Sequence, residues 1–273
     1  MADRTPDLVT ARQLCRRMLV RSLGCMAAAT LLPIAPRARA DQPRTLEPGV
    51  LRVGTYFVNP PFEFISGQER IGFEVDLMNE IARRLSMRHV RGTQWEVILG
   101  EMQRSLYDCI VGGITITPDR QKVLAWSVPY VTTTLSLVID AARYPAAMSL
   151  ADLKDATVGV QAATTDYDAA VAMERSGQIG EVKVYPFAQI TNAMQDLTAG
   201  RVGAVMKVYP VAAWLARRTP GLRILGQVPN NPQPLGVGFN LDNLGLVAAV
   251  NQTLAAMQRD GSYTALADRW GVA

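Results

Sequence analysis

From Pro48 onward, short apolar runs alternate with segments of helical periodicity, and this alternation constrains the fold more than any other feature of the chain. Leu51-Arg-Val-Gly-Thr55 predicts a first strand. Gly72 then opens a helix in which Phe73, Leu77, Met78, Ile81, Ala82 and Leu85 keep helical spacing. Residues 96–106 predict a second helix, 109–113 the next strand and 135–139 a buried strand. The polar stretch 140–145 ends in Tyr144-Pro145 and marks an exit from the first unit. A second set follows: strand 156–160, helix 165–176 opened by hydroxyl residues suited to capping, strand 182–185, helix 190–199 and strand 202–208. Asn230-Asn231-Pro232-Gln233-Pro234 breaks the pattern before strand 235–240 and closing helices 244–257 and 263–270. Strands regularly interleaved with helices predict an α/β fold, and 273 residues suffice for one large domain or two small ones.

The formal charge of +4 misleads about partners. Residues 1–40 hold seven arginines and two aspartates, so removing them leaves 21 basic and 22 acidic residues, a net of −1. Nucleic-acid binding then loses its electrostatic argument. The same 40 residues have the layout of an export signal: an arginine-rich start, an apolar run over 23–35, and Ala38-Arg39-Ala40 as a small-x-small cleavage site. The run is short for a membrane span and contains Pro33. Arg16-Arg17 resembles a twin-arginine signal, but Cys15 stands where a hydroxyl residue is usual, so the general secretory route is expected. Met18 offers an alternative start. No later segment is long and apolar enough to cross a membrane, and periplasmic export is the expectation.

Cys15 and Cys25 leave with that leader, so Cys109 is alone and no internal disulfide is possible in the mature chain. Its apolar surroundings predict a small buried hydrophobe. One histidine and one mature cysteine do not make the common nitrogen and sulfur metal sites, and no phosphate loop appears. Neither a metal nor a cofactor is expected.

The stretch from Gly112 to Arg120 carries the chemistry. The apolar run Cys109-Ile110-Val111 ends in two glycines, which admit a small ligand close to the backbone. Thr115 and Thr117 offer hydroxyls, and Arg120 a permanently charged fork matched to a carboxylate. Nothing in the segment is a nucleophile or base, so it is built to hold something.

Around this stretch the chain resembles the periplasmic solute-binding proteins of polar amino-acid ABC importers, the bacterial family 3 type. The matching residues are Leu51-Arg-Val-Gly-Thr55, Pro60-Pro61-Phe62-Glu63-Phe64, Gly72-Phe73-Glu74-Val75-Asp76-Leu77 with Ile81-Ala82, Trp95, and Tyr107-Asp108. They continue through 112–120, Trp126-Ser127-Val128-Pro129-Tyr130, Ala151-Asp152-Leu153-Lys154, Val158-Gly159-Val160, Gly261-Ser-Tyr263 and Trp270-Gly271. The resemblance implies a two-lobed periplasmic-binding-protein fold of type II with ligand in the interlobe cleft. Lobe 1 would be discontinuous, 41–140 plus 235–273, and lobe 2 would be 141–234, closing by hinge motion.

Site residues follow by the same resemblance. Arg120 would clamp a ligand carboxylate, where the plain alternative is a surface ion pair. Gly113 would present a carbonyl and Thr115 its hydroxyl and amide, while Thr117 caps the turn at Pro118. Thr164 and Thr165 would face an anionic group from a helix start, and simple capping is the structural alternative. Ala163 replaces the glycine usual before them. Trp95 either lines the ligand or packs as a core tryptophan.

Three anchors depart from the family pattern. The carboxylate that receives the ligand ammonium falls on Val208, the acidic residue after the first strand is Tyr56, and the stacking aromatic is Asn59. Lys207 precedes Val208, and strand alternation predicts that only one of them reaches the cleft. The expected ligand is therefore a carboxylate that need not carry an ordinary α-ammonium. Glu63 belongs to a structural motif, and Glu74 and Asp76 read as solvated or capping acids. His89 reads as a surface residue.

The resulting expectation is a non-enzymatic, monomeric importer component that hands a small carboxylate to a membrane permease. The alternatives are a dehydratase-like enzyme on a cyclic acid, against which stands the lack of an obvious acid near Val208, and a ligand-sensing partner of a membrane receptor.

Overall fold

Two five-stranded sheets, each flanked by helices, organise the chain in a computed structural model that describes residues 43–91 and 95–272. The export signal read over 1–40, with Cys15 and Cys25, lies outside the described residues.

The first half builds one sheet. β1 (Val50–Gly54) leads to the small β2 (Val58–Asn59), β3 (Glu63–Ser66) and β4 (Glu69–Ile71), then to α1 (Phe73–Arg84) and β5 (Arg88–Arg91). α2 (Trp95–Gln103), β6 (Cys109–Ile110), the single turn α3 (Pro118–Gln121) and β7 (Ala125–Trp126) follow. The crossing strand β8 (Val131–Asp140) opens the second half, with β9 (Thr157–Gln161), α4 (Thr165–Arg175), β10 (Glu181–Tyr185) and α5 (Ile190–Thr198). β11 (Ala204–Val208), α6 (Tyr209–Arg218) and β12 (Leu222–Leu235) complete it. β13 (Gly238–Phe239), α7 (Leu244–Arg259) and α8 (Ser262–Trp270) return to the first sheet.

The sheet orders are β5-β1-β6-β13-β7 and β10-β9-β11-β8-β12, with β2-β3-β4 apart. β1 runs parallel to β5 and β6, and β9 parallel to β10 and β11. Covered strands of this kind are apolar throughout, as β11 is along its whole length apart from Lys207. α1 shows why the predicted periodicity holds: Phe73, Leu77, Met78 and Ile81 are fully buried on one stripe. Each such side chain is worth about 1.5–3 kcal/mol of burial.

β8 and β12 join the lobes. Val131 to Thr134 pair with Leu235 back to Pro232, and Ser136 then pairs with Gln227. Leu135 to Ile139 already pair with β11 in the second sheet. The paired crossing segments are thus Val131–Thr134 and Pro232–Leu235, the second overlapping the proline-rich stretch. That stretch is not a break. Because β12 is an edge strand with register shifts, it tolerates Pro229, Pro232 and Pro234, whose missing N–H groups cost no ladder bond on the open side.

Candidate functional site

The carboxyl ends of strands from both sheets converge on one cavity between the lobes, the usual place for ligands in open α/β sheets. Tyr56 follows β1, Gly112 and Gly113 follow β6, Thr164 follows β9, and Lys207 and Val208 end β11; all of these line the cavity. Asn59, Trp95, Thr115, Arg120 and Thr165 line it too, so all ten residues singled out in the sequence are brought together. Asp166 and Phe187 complete the wall and were not foreseen. The enclosed volume is about 20 Å³, room for about one water. Any larger solute requires the lobes to part. A roomier groove of about 560 Å³ on the second lobe has Lys154 as its one charged side chain and lacks this convergence of polar groups.

Thr117 caps α3, accepting from the Arg120 amide at 3.2 Å with Pro118 in the first turn. This fixes the start of the turn from which the Arg120 side chain springs. Its guanidinium donates to the Thr115 carbonyl at 2.9 Å and reaches the Ala163 carbonyl of the other lobe at 3.4 Å. It also lies 5.6 Å from the centre of the Trp95 ring. Among the described residues no carboxylate stands within ion-pair distance of it. Burial pulls its pKa below the usual guanidinium value, the cost of holding a charge out of water.

Opposite, Thr164 caps α4 by accepting from the Tyr167 amide at 3.2 Å while donating to the Gln161 carbonyl at 2.8 Å. Ala163 before it holds φ +59°, the left-handed conformation for which glycine is the cheaper residue. The two lobes are tied through a residue that sequence reasoning passed over. Gln233 Oε1, on the returning strand, accepts from Thr115 Oγ1 at 2.9 Å and from Thr165 Oγ1 at 2.8 Å.

Trp95 both packs and bridges. It stacks on Phe187 at 4.6 Å and 22°, meets Tyr56 edge-on at 5.4 Å, and donates Nε1–H to the Ala162 carbonyl at 3.3 Å. The Tyr56 hydroxyl donates to the Gly112 carbonyl. Gly112 holds φ +153°, and a Cβ there would stand 2.5 Å from the Tyr56 ring.

Several sequence readings are corrected. Lys207 and Val208 both line the cavity, because the strand ends at Val208, which starts α6 and breaks the alternation. The acid thought absent near Val208 is Asp166: Lys207 Nζ lies 2.6 Å from Asp166 Oδ2, with both side chains at most 4% exposed. Glu74 is neither solvated nor a cap; it is 1% exposed and accepts from the Gly113 amide at 2.8 Å and from the Tyr130 hydroxyl. Its helix starts against the Gly113 loop, which turns this side chain inward. Glu63 lies fully buried beside it, and burial together with the Glu74 charge pushes its carboxyl well above the ordinary range. Asp76 accepts from Trp270 Nε1 at 2.9 Å. His89 is half-buried, with Nδ1 2.9 Å from Asn79 Oδ1. Cys109 is buried as read, and burial raises its thiol pKa.

Known proteins share this architecture. Residues 51–273 match the bacterial extracellular solute-binding proteins, family 3. The L-cystine-binding protein TcyJ of Escherichia coli K12 is 28% identical over 254 residues, 91% of this chain and 93% of that protein. A solved ancestral arginine-binding protein bound to arginine superposes with a TM-score of 0.74 at 30% identity, covering 81% of this chain and 98% of its own. The ancestral amino acid-binding protein AncCDT-1, described as a precursor of cyclohexadienyl dehydratase, gives 0.72 at 29% identity over 81% of this chain and 95% of its own. A family match running from β1 to the end of the chain, together with a two-lobed fold whose strand ends meet in one cavity, establishes that the chain belongs to the bacterial extracellular solute-binding proteins of family 3.

Proposed function

We propose that the chain is the exported substrate-binding component of an ABC importer, enclosing an amino acid or related small carboxylate between its lobes and delivering it to a membrane permease. One observation carries this reading: the Arg120 guanidinium faces the interlobe cavity with two of its five N–H donors on carbonyls and, among the described residues, no acid within ion-pair distance of it. The first turn of α4 faces the same cavity and favours an anion there. Closure is the work the cleft performs, since Trp95–Ala162, Arg120–Ala163 and the Gln233 bridge all form only when the lobes meet. No bond chemistry is required. Among the described residues no helix is long and apolar enough to cross a membrane, and an export signal over 1–40 supplies the route out of the cell.

Isothermal titration against a carboxylate panel, with small-angle scattering to follow compaction, tests this. Binding that is lost in Arg120→Ala and accompanied by compaction is expected; binding without compaction, or indifferent to Arg120, refutes it. A second reading, as an enzyme on a cyclic acid, draws on the Asp166 carboxylate in the cleft and on the described lineage of AncCDT-1. Mass spectrometry of prephenate and arogenate after incubation separates the two, because turnover yields a new product.

A further inference from the structure

The cleft holds unequal equipment for the two ends of a zwitterion. Its provision for an anion is open: Arg120 has no acid partner among the described residues and spends two donors on carbonyls. Its provision for a cation is already used. Among the described residues Asp166 is the one acidic side chain in the wall, and Lys207 holds it at 2.6 Å. Two of the three aromatic rings in the wall already hold a cation, Phe187 by Lys207 at 5.8 Å and Trp95 by Arg120 at 5.6 Å, and the third, Tyr56, is met edge-on by both of them. Glu63 and Glu74 lie behind Gly113 and do not line the cavity.

Charge balance points the same way. Among the described residues, two cations and one carboxylate leave the wall one positive charge in excess. A monoanion neutralises it, whereas a zwitterion leaves the excess in place and sets a second ammonium beside Lys207. Bringing that ammonium to Asp166 means displacing or crowding a charge that is almost wholly out of water.

Resting on the solute-binding reading, we infer that the cleft selects small monocarboxylates without an α-ammonium, such as 2-oxo and 2-hydroxy acids, over the α-amino acids of the same skeleton. The Lys207–Asp166 pair is the determinant, a resident ammonium held where a ligand's would otherwise be accepted.

Calorimetric titration of the purified protein with matched triads tests the inference: an amino acid, its 2-hydroxy acid and its 2-oxo acid, over aliphatic, aromatic, acidic and basic skeletons. The acid lacking the amine is expected to bind at least tenfold tighter than its amino partner in every skeleton that binds. Tighter binding of the amino partner, lost in Arg120→Ala, overturns the inference and leaves the solute-binding reading standing. Binding of neither class in any skeleton brings down both.

The variant Lys207→Met frees Asp166 to accept an ammonium, so the amino partner should gain at least tenfold relative to its acid. Lys207→Met combined with Asp166→Asn removes both charges and should keep the wild-type order. An unchanged ratio in the single variant overturns the role of the pair. Should the single variant not fold, the wild-type triads and the neutral double variant still decide.

Discussion

The Arg120 guanidinium lies 3.4 Å from the Ala163 carbonyl, so the residue that offers charge to the cleft also spans it. Lysine keeps the charge but loses the planar fork and the second carbonyl bond. Arg120→Lys should weaken carboxylate binding by about 30- to 150-fold, the worth of one charged hydrogen bond at about 2–3 kcal/mol. Because Arg120 has no ion-pair partner to orphan among the described residues, the melting temperature without ligand should barely move. Calorimetry beside a thermal melt checks both halves. A large fall in the unliganded melting temperature would mean the residue is structural.

Trp95→Phe separates stacking from bridging. Phenylalanine retains an aromatic face toward Phe187 but has no Nε1–H for Ala162. Losing one neutral hydrogen bond of about 0.5–1.5 kcal/mol should weaken ligand about two- to tenfold. Because that bond joins the lobes, the loss should appear in the dissociation rate. Stopped-flow displacement measures it, and an unchanged off-rate denies Trp95 a part in closure.

Much of the site was legible because its residues sit where local sequence dictates local shape. The paired glycines after an apolar run, the hydroxyl-capped turn at Pro118 and the threonines opening α4 each announce themselves within a few residues. Asp166 did not, since an acid in a helix's first turn reads as a partner of the helix dipole. Its pairing with Lys207 spans 41 residues and depends on β9 lying beside β11. Phe187 and Gln233 were hidden for the same reason: one follows a strand end in a short turn, the other sits among prolines that read as a break. α6 is not evident in the sequence although Val211, Ala212 and Ala213 are buried on it, because its apolar residues run straight on from β11 and Pro210 stands in its first turn.

The buried Glu63 and Glu74 carboxyls give stability a pH dependence. Both are pushed above the usual 4.5, chiefly by burial, with Glu63 raised further by the Glu74 charge. The folded state therefore holds protons that the unfolded chain releases above about pH 4.5. Stability from this pair is fully present below that pH and is lost as pH rises toward the raised folded values. Glu63→Gln carries permanent N–H donors in place of the proton. It should flatten the decline in melting temperature above about pH 5 and be neutral or stabilising at pH 7. A variant with the wild-type slope would place the pH dependence elsewhere.

Gly112→Ala should damage the site through Tyr56. The φ of +153° disfavours any side chain, and the added Cβ would meet the ring at 2.5 Å. That ring holds Phe187 edge-on at 4.8 Å as well as Trp95, so its displacement disturbs the whole aromatic wall. A stability loss of about 1–3 kcal/mol is expected. Ligand binding should fall by about tenfold or more, given that aromatic contacts of about 0.5–1.5 kcal/mol are lost more than once. Chemical denaturation and titration test the two parts, and a variant of wild-type affinity would show that the Tyr56 wall does not shape the cleft.

A second contact between the lobes lies outside the cleft. Trp214 on α6 packs against Phe64 of β3 at 5.1 Å and Trp270 of α8 at 6.5 Å, with the Arg218 guanidinium 3.3 Å over its ring. None of these residues lines the cavity, so their contribution to affinity passes through the equilibrium between parted and closed lobes. Each aromatic pair is worth about 0.5–1.5 kcal/mol beyond area burial. Trp214→Leu keeps an apolar surface on the helix while removing both ring pairs. It should weaken every ligand of the cleft by the same factor, about 5- to 150-fold if both pairs count and their energies add. The ranking among ligands should not change, because nothing that touches them has. Dissociation rates for two chemically different ligands decide the matter. Unequal changes would place Trp214 in recognition instead, and no change would mean that the cluster persists when the lobes part.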